Sequence, residues 1–372
     1  MASPKKKIFI IGGTGAQGMP VIRGLVSDGA YAVRVLTRNP ASPRAVELAS
    51  LSPDVEFLTG SFTSEADLRA GFAGCYGAFV NIDGFQTGEK TETFWAIRAY
   101  ELAIESGIRA FVYRNLDFVY KKSGYKPEFR TGHYDGKGRI GEWILDQNKR
   151  NKKLPGYDMS TSLFTTGPYI EMAISGGGPM VPRVEHDATT GDKVLTWRVP
   201  LTADGAVVHV SLDDCAYYVR WLFDHPEKAD GLDLEVAIEH VDYAEFAKAF
   251  EKVTGHKARF IDVDMDTYWR EGSMTPMADR TSGVQADPDD PATVTVRQNF
   301  TGFWNMWRAS GHNKGVIKRD YDLMDKIHPG RIRTVEEFLR REDEKEKGRG
   351  RSLWEKVLEG KPVLKIILDG QR

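Results

Sequence analysis

Cysteine is scarce in this chain of 372 residues, which contains only Cys75 and Cys215. The two lie far apart and form no Cys-x-x-Cys pair, which argues against a disulfide framework and a structural zinc site and favours a reducing compartment. No apolar run is long enough to span a bilayer, and residues 1–7 lead directly into a predicted strand without room for a signal peptide. We therefore expect a cytoplasmic protein with no membrane partner.

An excess of either charge is also missing, since the formal net charge is −2. This balance gives no electrostatic reason to expect nucleic acid as a partner. His-Glu-x-x-His, Gly-x-Ser-x-Gly and paired-carboxylate patterns are absent, so the sequence gives little support to a hydrolase and predicts no metal site. A hydrophobic content of 41% is ordinary for a globular protein, and the length fits one large domain or two joined ones.

What the sequence does have is a glycine-rich loop between a strand and a helix. Residues 8–11 are a short apolar run, and residues 20–26 continue as an amphipathic helix. The loop between them consists of Gly12, Gly13, Thr14, Gly15, Ala16, Gln17 and Gly18. Glycines allow a tight turn and close approach to a pyrophosphate, whose charge the helix N-terminus stabilises. The pattern predicts a dinucleotide-binding loop.

A second strand, residues 32–37, ends in Arg38 and Asn39, and Arg38 lies twenty residues past Gly18. Sites that prefer NAD carry an acidic residue near this position for the ribose 2′-hydroxyl, whereas an arginine suits a 2′-phosphate. We therefore predict that the cofactor is NADP(H).

Apolar strands alternate with helices through the first part of the chain. Because continuous apolar strands separated by helices imply a parallel sheet covered on both faces, we predict an α/β fold. Further strands are expected at residues 55–59, 77–82, 109–113 and 159–165, with helices at 65–72, 91–106 and 138–145. The predicted architecture is a doubly wound Rossmann sheet in residues 1–165 and a smaller α+β part in residues 166–372 that binds a substrate or partner and interleaves with the sheet.

The second part is less regular. We expect strands 193–200 and 206–210 to be joined by a turn, helices at 211–223 and 243–253, and a strand at 258–263. Residues 286–291 are expected to form an exposed loop, and the basic run 149–153 a solvated one. The mixed charges of residues 340–351 are expected to belong to a solvated helix end or tail.

Three segments carry a family resemblance: the glycine loop, residues 33–40, and residues 132–138 with the sequence GHYDGKG. Together they resemble the NmrA-like family, which are atypical short-chain dehydrogenases/reductases, and residues 299–307 and 327–329 resemble its fungal members. The similarity covers roughly residues 7–265. It implies a Rossmann domain, a smaller C-terminal domain and a cofactor lying across the strand ends.

By position, the resemblance also implies roles for individual residues. The loop would meet the pyrophosphate, and Arg38 with Asn39 the 2′-phosphate. The other residues implied to line the cofactor are Ser61, Asn81 and Lys137, with Pro168, Tyr169 and Glu171 closing over the nicotinamide side.

The residues expected to transfer protons depart from the pattern of ordinary short-chain reductases. Those enzymes place a tyrosine four residues before the lysine, helped by a serine at the end of the fifth strand. Here His133 stands at the tyrosine position and Arg114 at that of the serine. His133, whose ordinary pKa lies near neutrality, is one candidate acid, and Lys137 itself is another. Tyr134 would reach the site only with a displaced helix start.

Two functions therefore stay open. The first is an NADPH-dependent reductase of a small apolar carbonyl or enone compound, with Lys137 and His133 as catalytic residues. The second is a redox sensor that binds NADP(H) and regulates a protein partner without turnover, which the missing serine and tyrosine favour. A pseudoenzyme that serves as an assembly subunit is a weaker third possibility, and an oligomer is compatible with each.

Overall fold

The computed structural model describes residues 5–364, in which twelve strands are found. They are β1 (Lys6–Ile11), β2 (Tyr31–Thr37), β3 (Val55–Thr59), β4 (Gly77–Val80), β5 (Ala110–Leu116), β6 (Ser160–Thr166), β7 (Arg183–His186), β8 (Lys193–Val199), β9 (Val207–Val208), β10 (Asp233–Glu235), β11 (His240–Val241) and β12 (Ala258–Asp262). Seven of these strands form one parallel sheet in the order β10-β6-β5-β4-β1-β2-β3. The predicted doubly wound Rossmann sheet is confirmed.

Fifteen α-helices connect and cover the strands in the part of the chain that the structure describes. They are α1 (Gly18–Val26), α2 (Pro43–Ala49), α3 (Glu65–Phe72), α4 (Gly84–Thr87), α5 (Glu89–Glu105), α6 (Val119–Lys122), α7 (Gly132–Asn151), α8 (Leu212–Asp224), α9 (Pro226–Ala229), α10 (Tyr243–Thr254), α11 (Met265–Glu271), α12 (Val296–Arg308), α13 (Tyr321–Ile327), α14 (Val335–Lys347) and α15 (Leu353–Glu359). Among residues 5–364, none of the helices combines the length and apolarity that crossing a bilayer requires.

The sheet is buried on both faces, which explains its continuously apolar strands. Every residue of β4 and β5 is buried. On one face, α1 and α8 pack against Ile8 and Ile10 of β1. On the other, α3, α5 and α7 pack against Phe9 of β1 and Phe111 of β5. The sheet therefore lies between two layers of helices, which fix the position of its carboxyl edge.

The rest of the chain forms a second core beside this edge. Strands β12, β8 and β7 make a three-stranded sheet, and β11 pairs with β9. Its centre is aromatic: Trp197 stacks on Phe246 at 4.8 Å between ring centroids, and Trp304 and Trp307 are fully buried. Strand β10 and helix α8 return from this region to the main sheet. The division at residue 165 stays a prediction.

The structure has a strand within each of the predicted segments 193–200 and 206–210, with a turn at residues 203–204 between them, but the two strands do not pair with each other. Strand β8 pairs with β7 and β12, whereas β9 shrinks to two residues and pairs with β11. The segment after the turn contacts helix α12, since the Ala206 amide donates to the Trp307 carbonyl at 3.1 Å. The predicted turn forms, and long-range packing decides which strands β8 and β9 pair with.

Two helices differ from the prediction. Helix α7 begins at Gly132 instead of residue 138, because the Asp135 carboxylate accepts from the Thr131 amide at 2.8 Å and closes the first turn. It also runs on to Asn151, so most of the basic run 149–153 belongs to its end. Helix α14 is not wholly solvated, since Glu342, Asp343 and Glu346 on it are buried. Asp343 accepts from the Leu353 amide at the start of α15, at 3.1 Å.

Candidate functional site

The candidate site lies where the strand order reverses, at the carboxyl ends of β1 and β4. The chain runs from β1 outward to β2 and β3, then returns to β4 on the other side of β1. Ligands of open parallel sheets bind in the crevice that such a reversal creates. The glycine loop follows β1 directly, so the structure places it at this crevice.

Two loop positions require glycine. Gly12 has a φ of +81°, and a Cβ there would stand 2.4 Å from the Asn81 carbonyl oxygen just after β4. A Cβ on Gly18 would stand 2.3 Å from the Gly12 carbonyl oxygen. The turn itself is closed by the Gly15 amide, which donates to the Gly12 carbonyl at 3.0 Å. The loop is therefore pressed against the end of β4 and cannot accept side chains at these two places.

The start of α1 offers unused hydrogen-bond donors. Within residues 5–364, the backbone amides of Ala16 and Gln17 donate to no acceptor, and Gln17 provides no side-chain cap. No acidic residue lies in the first turn of this nine-residue helix. Free amides and the positive end of the helix dipole suit a phosphate. The loop therefore fits the pyrophosphate of a dinucleotide.

Two arginines flank this loop. Arg38 is exposed at the end of β2, and none of the described carboxylates forms an ion pair with it. Asn39 beside it accepts from the Ala41 amide at 2.9 Å and holds the turn after β2. Arg44 on α2 was not predicted; its guanidinium donates to the Thr14 carbonyl at 3.3 Å and to the Val363 carbonyl at 2.9 Å. Arg44 thus contacts the glycine loop directly, and the contact of Arg38 with a 2′-phosphate stays a prediction.

Ser61 and Asn81 take the positions expected of residues that line such a cleft. Ser61 follows β3, where its amide donates to Asp67 at 2.9 Å and its hydroxyl lies 2.8 Å from that of Thr63. Asn81 follows β4, and its amide donates to the Ile11 carbonyl at 3.2 Å. Both lie at the carboxyl edge of the sheet, and their contact with a cofactor stays a prediction.

Lys137 is buried on α7 and ion-paired with Glu92 of α5. Its Nζ also donates to the Ile82 carbonyl at 2.7 Å, which is one residue past Asn81. Burial lowers the pKa of Lys137 and raises the pKa of Glu92, while their mutual attraction opposes both shifts. An ammonium with a lowered pKa gives up its proton more readily, so this pair can donate a proton at the end of β4.

His133 lies one helical turn before Lys137 and is surrounded by rings. Its ring centroid is 4.8 Å from that of Phe85 and 5.4 Å from that of Phe300, and its Nδ1 lies 3.0 Å from Asn299 Oδ1. Burial lowers the pKa of His133 to about 4, so the imidazole is neutral at pH 7. Tyr134 does lie in the helix, but it is buried against Trp307 and Phe303 in the second core.

Arg114 is buried on β5 and lies on the sheet face that carries α1 and α8. Its Nη2 is 3.4 Å from the Thr166 hydroxyl and 3.4 Å from the Tyr169 hydroxyl, while its Nε has no partner among the described residues. Tyr169 belongs to the segment that follows β6 and is bridged to Val210. The position of the usual serine is therefore filled by a cation.

Pro168 and Glu171 lie in the same segment. The Pro168 carbonyl accepts from the Val210 amide at 3.0 Å, and His209 Nδ1 lies 3.1 Å from it. Glu171 accepts from the Leu212 amide at 2.9 Å, and burial raises its pKa to about 8, so this carboxyl is protonated at pH 7. These contacts fix the segment after β6 against residues 209–212, and its closing over the nicotinamide side of a cofactor stays a prediction.

Several buried polar atoms without a partner collect along this edge of the sheet. Those in the described part of the chain include Gln17 Oε1, Glu92 Oε2, Arg114 Nε and Glu171 Oε2. Buried polar groups are nearly always satisfied, so these four atoms are available to a polar ligand or to water. Glu92 was not predicted from the sequence, because its burial beside Lys137 depends on how α5 packs against α7 in the folded chain.

The chain belongs to the NmrA-like family, whose family model matches residues 4–282. It is 29% identical over 280 residues to an NmrA-like family domain-containing oxidoreductase, hkm9, of Aspergillus hancockii, covering 70% of this chain and 76% of that protein. This identifies the chain as a relative of oxidoreductases without fixing its substrate.

Solved structures confirm the fold. The negative transcriptional regulator NmrA, solved with NADP, superposes with a TM-score of 0.67 at 16% identity, covering 95% of this chain and 100% of that one. The Escherichia coli NADPH-dependent quinone oxidoreductase QOR2, solved with NADPH, gives 0.61 at 17% identity, covering 89% and 98%. The fold is thus shared by a regulator and by a reductase.

Proposed function

We propose that this protein is an NADPH-dependent reductase of a small, largely apolar carbonyl or enone compound. The observation that carries the proposal is the buried ion pair of Lys137 and Glu92, set beside the glycine loop. The loop and the pair share one edge, because Lys137 bonds the carbonyl of Ile82 and the preceding Asn81 packs against Gly12. A buried ion pair is costly to maintain, and such pairs with shifted pKa values concentrate at functional sites.

The residues at the phosphate end fit NADP(H). The free amides of Ala16 and Gln17 would hold the pyrophosphate. Arg38 and Arg44 would hold the 2′-phosphate, since neither forms an ion pair with a carboxylate within residues 5–364. NmrA has been solved with NADP and with NAD, and QOR2 with NADPH, which supports a nicotinamide dinucleotide, and Arg38 favours NADP(H) among them. When bound, NADPH supplies a hydride from its nicotinamide ring.

The protein supplies the proton that completes the reduction. Lys137 Nζ releases a proton to the substrate oxygen as the hydride adds to the carbon, and Glu92 stabilises the lysine while it is charged. The neutral His133 has its Nδ1 engaged with Asn299 and is the weaker candidate for this role. Because its pKa is low, the ring is neutral and packs with the rings of Phe85 and Phe300 as part of an aromatic surface.

The test is NADPH oxidation by the purified protein with a panel of carbonyl and enone compounds, followed by the loss of NADPH absorbance. We expect turnover that falls at least 100-fold in Lys137→Met, while Arg150→Met on the exposed end of α7 keeps the wild-type rate. No rate above the blank with any compound would contradict the reductase function, and full activity in Lys137→Met would contradict the role of that lysine.

A second candidate function is a redox sensor that binds NADP(H) and controls a protein partner. The observation that favours it is the replacement of the usual serine and tyrosine by Arg114 and His133, neither of which is an ionisable hydroxyl. Its test is calorimetry with NADPH and NADP⁺ beside a pull-down. A stoichiometric partner whose binding differs between the two cofactor forms, together with no turnover, would establish the sensor.

A further inference from the structure

Arg114 stands out among the buried arginines of residues 5–364. Three arginine side chains in this range are buried: Arg114, Arg319 and Arg331. Arg319 pairs with Asp117 at 2.7 Å, and Arg331 pairs with Asp325 at 2.7 Å. Arg114 has no carboxylate within ion-pair distance in that part of the chain, and its Nε has no hydrogen-bond partner. A buried charge without a counter-charge is unfavourable, so this guanidinium calls for an anion.

The neighbours of Arg114 do not supply that anion. Lys137 and Glu92 balance each other. Glu171 is protonated at pH 7 because burial raises its pKa to about 8, and burial likewise keeps the Cys215 thiol protonated by raising its pKa. The Tyr169 hydroxyl and the Thr166 hydroxyl contact Nη2 as neutral groups. Among these neighbours, Arg114 is therefore the cation that has no carboxylate within ion-pair distance in the described part of the chain.

This charge lies away from the place where the cofactor phosphates are expected. The glycine loop follows β1, and Arg38 lies beyond β2 on the far side of β1. Strand β5 is separated from β1 by β4, which is on the order of 10 Å at the spacing of neighbouring strands. Arg114 thus lies towards the opposite end of the cleft from Arg38, where the nicotinamide and the substrate would meet.

The same end of the cleft has an aromatic wall. The Phe85 ring is 44% exposed, and it stacks on Phe300 with centroids 6.3 Å apart and planes 11° apart. His133 joins these rings one helical turn before Lys137, whose Nζ donates to the Ile82 carbonyl just after β4, the strand next to β5. An exposed, flat aromatic surface favours stacking with a planar apolar ligand.

We propose that Arg114 is a specificity-determining residue that binds a carboxylate of the substrate, so that the substrate is a planar carbonyl or enone acid. This inference rests on the proposed function, which places the reacting carbonyl at this end of the cleft. The guanidinium presents donors in a planar fork that matches the two oxygens of a carboxylate. Thr166 and Tyr169 orient that fork, and the wall of Phe85, His133 and Phe300 receives the apolar body.

The test compares an acid with its ester in calorimetry on the full chain loaded with NADP⁺. Cinnamate and methyl cinnamate share the planar apolar body and differ in charge. We expect cinnamate to bind the wild type at least tenfold more tightly than the ester. Arg114→Met should abolish this difference while changing NADP⁺ affinity less than threefold, and Arg114→Lys should keep part of it. Arg150→Met, which removes an exposed arginine, serves as the control.

Equal binding of acid and ester to the wild type, or binding of neither, would overturn the proposal. A tenfold or greater loss of NADP⁺ affinity in Arg114→Met would also overturn it, because the guanidinium would then bind a cofactor phosphate. Should Arg114→Met fail to fold, the acid–ester comparison on the wild type and on Arg114→Lys decides. None of these readouts needs turnover, so a missing reductase activity would be recognised separately, by the carbonyl panel.

Discussion

The two ends of the candidate cleft are built in different ways. At the phosphate end, backbone amides of the loop and the exposed Arg38 await a ligand, and the shape is imposed by Gly12 and Gly18. At the opposite end, buried side chains meet from several elements: Glu92 of α5, Arg114 of β5, Lys137 of α7 and Glu171 of the segment after β6. The first end offers backbone groups, and the second offers charges held inside the protein.

This difference has an energetic consequence. Charges at the phosphate end are hydrated before binding, so changing them should alter ligand affinity more than stability. Charges at the opposite end are desolvated, so changing them should alter the free energy of unfolding as well. Four substitutions test this contrast, from the largest expected effect to the smallest.

Lys137→Met should have the largest effect, lowering the free energy of unfolding by roughly 3–5 kcal/mol because Glu92 is left buried without its partner. Denaturant unfolding measures it. The double variant Lys137→Met with Glu92→Leu should recover a large part of the loss. Lys121→Met, which breaks an exposed pair with Glu142, should cost about 1 kcal/mol or less. If the losses of unfolding free energy in Lys137→Met and Glu92→Leu simply add in the double variant, the two side chains are not coupled, and the prediction is contradicted.

Gly12→Ala should weaken NADPH binding by about 100-fold, or about 2.7 kcal/mol, because the new Cβ collides with the Asn81 carbonyl and displaces the loop. Calorimetry measures the affinity. Gly107→Ala is a matched control, since Gly107 also has a positive φ, of +71°, but nothing lies within 4 Å of the added Cβ. The same loss in both variants would mean that strain, and not the shape of the loop, controls binding.

Arg38→Ala should lower NADPH affinity by about tenfold or somewhat more, since a charge-assisted hydrogen bond contributes roughly 1.5–3 kcal/mol. NADH affinity should stay unchanged, because NADH lacks the 2′-phosphate, and the unfolding free energy should stay within about 0.5 kcal/mol. Arg44→Ala should act in the same direction. An equal loss for both cofactors would remove the argument for NADP(H).

Glu171→Gln should have the smallest effect at about pH 4, where this carboxyl is mostly protonated in both the folded and the unfolded chain, and its effect is seen in the pH dependence of stability. The folded protein keeps the Glu171 proton up to a pKa of about 8, whereas the unfolded chain releases it near 4.5. The folded state therefore binds more protons between these values, and the unfolding free energy falls as pH rises, by at most roughly 1.4 kcal/mol per pH unit. Glu171→Gln should flatten this slope, and an unchanged slope would contradict the raised pKa.

The phosphate end was the easier one to predict from the sequence. Strands β1 and β2, the glycine loop and Arg38 follow one another along the chain, and local rules of turn geometry and spacing apply to them. Even here the sequence did not predict Arg44, which contacts the loop. Its role depends on α2, whose start at Pro43 carries little apolar periodicity.

The opposite end could not be assembled in the same way. Lys137 was singled out, but its partner Glu92 lies 45 positions away, on a helix whose packing decides which side chains are buried. Arg114 was noticed as a departure from the usual serine, yet its lack of a counter-ion is a property of the folded chain. The pairing partners of β8 and β9 could not be predicted for the same reason, since β7, β11 and β12 come from other parts of the chain.

The most direct test of the account is deuterium transfer from NADPH labelled at C4 of the nicotinamide to a carbonyl or enone acid. We predict that the wild-type protein gives a labelled product, and that Lys137→Met binds NADPH within threefold of the wild type but forms product at least 100-fold more slowly. Tight binding of NADPH with no label in the product of any such compound would contradict the reductase function and leave the redox sensor.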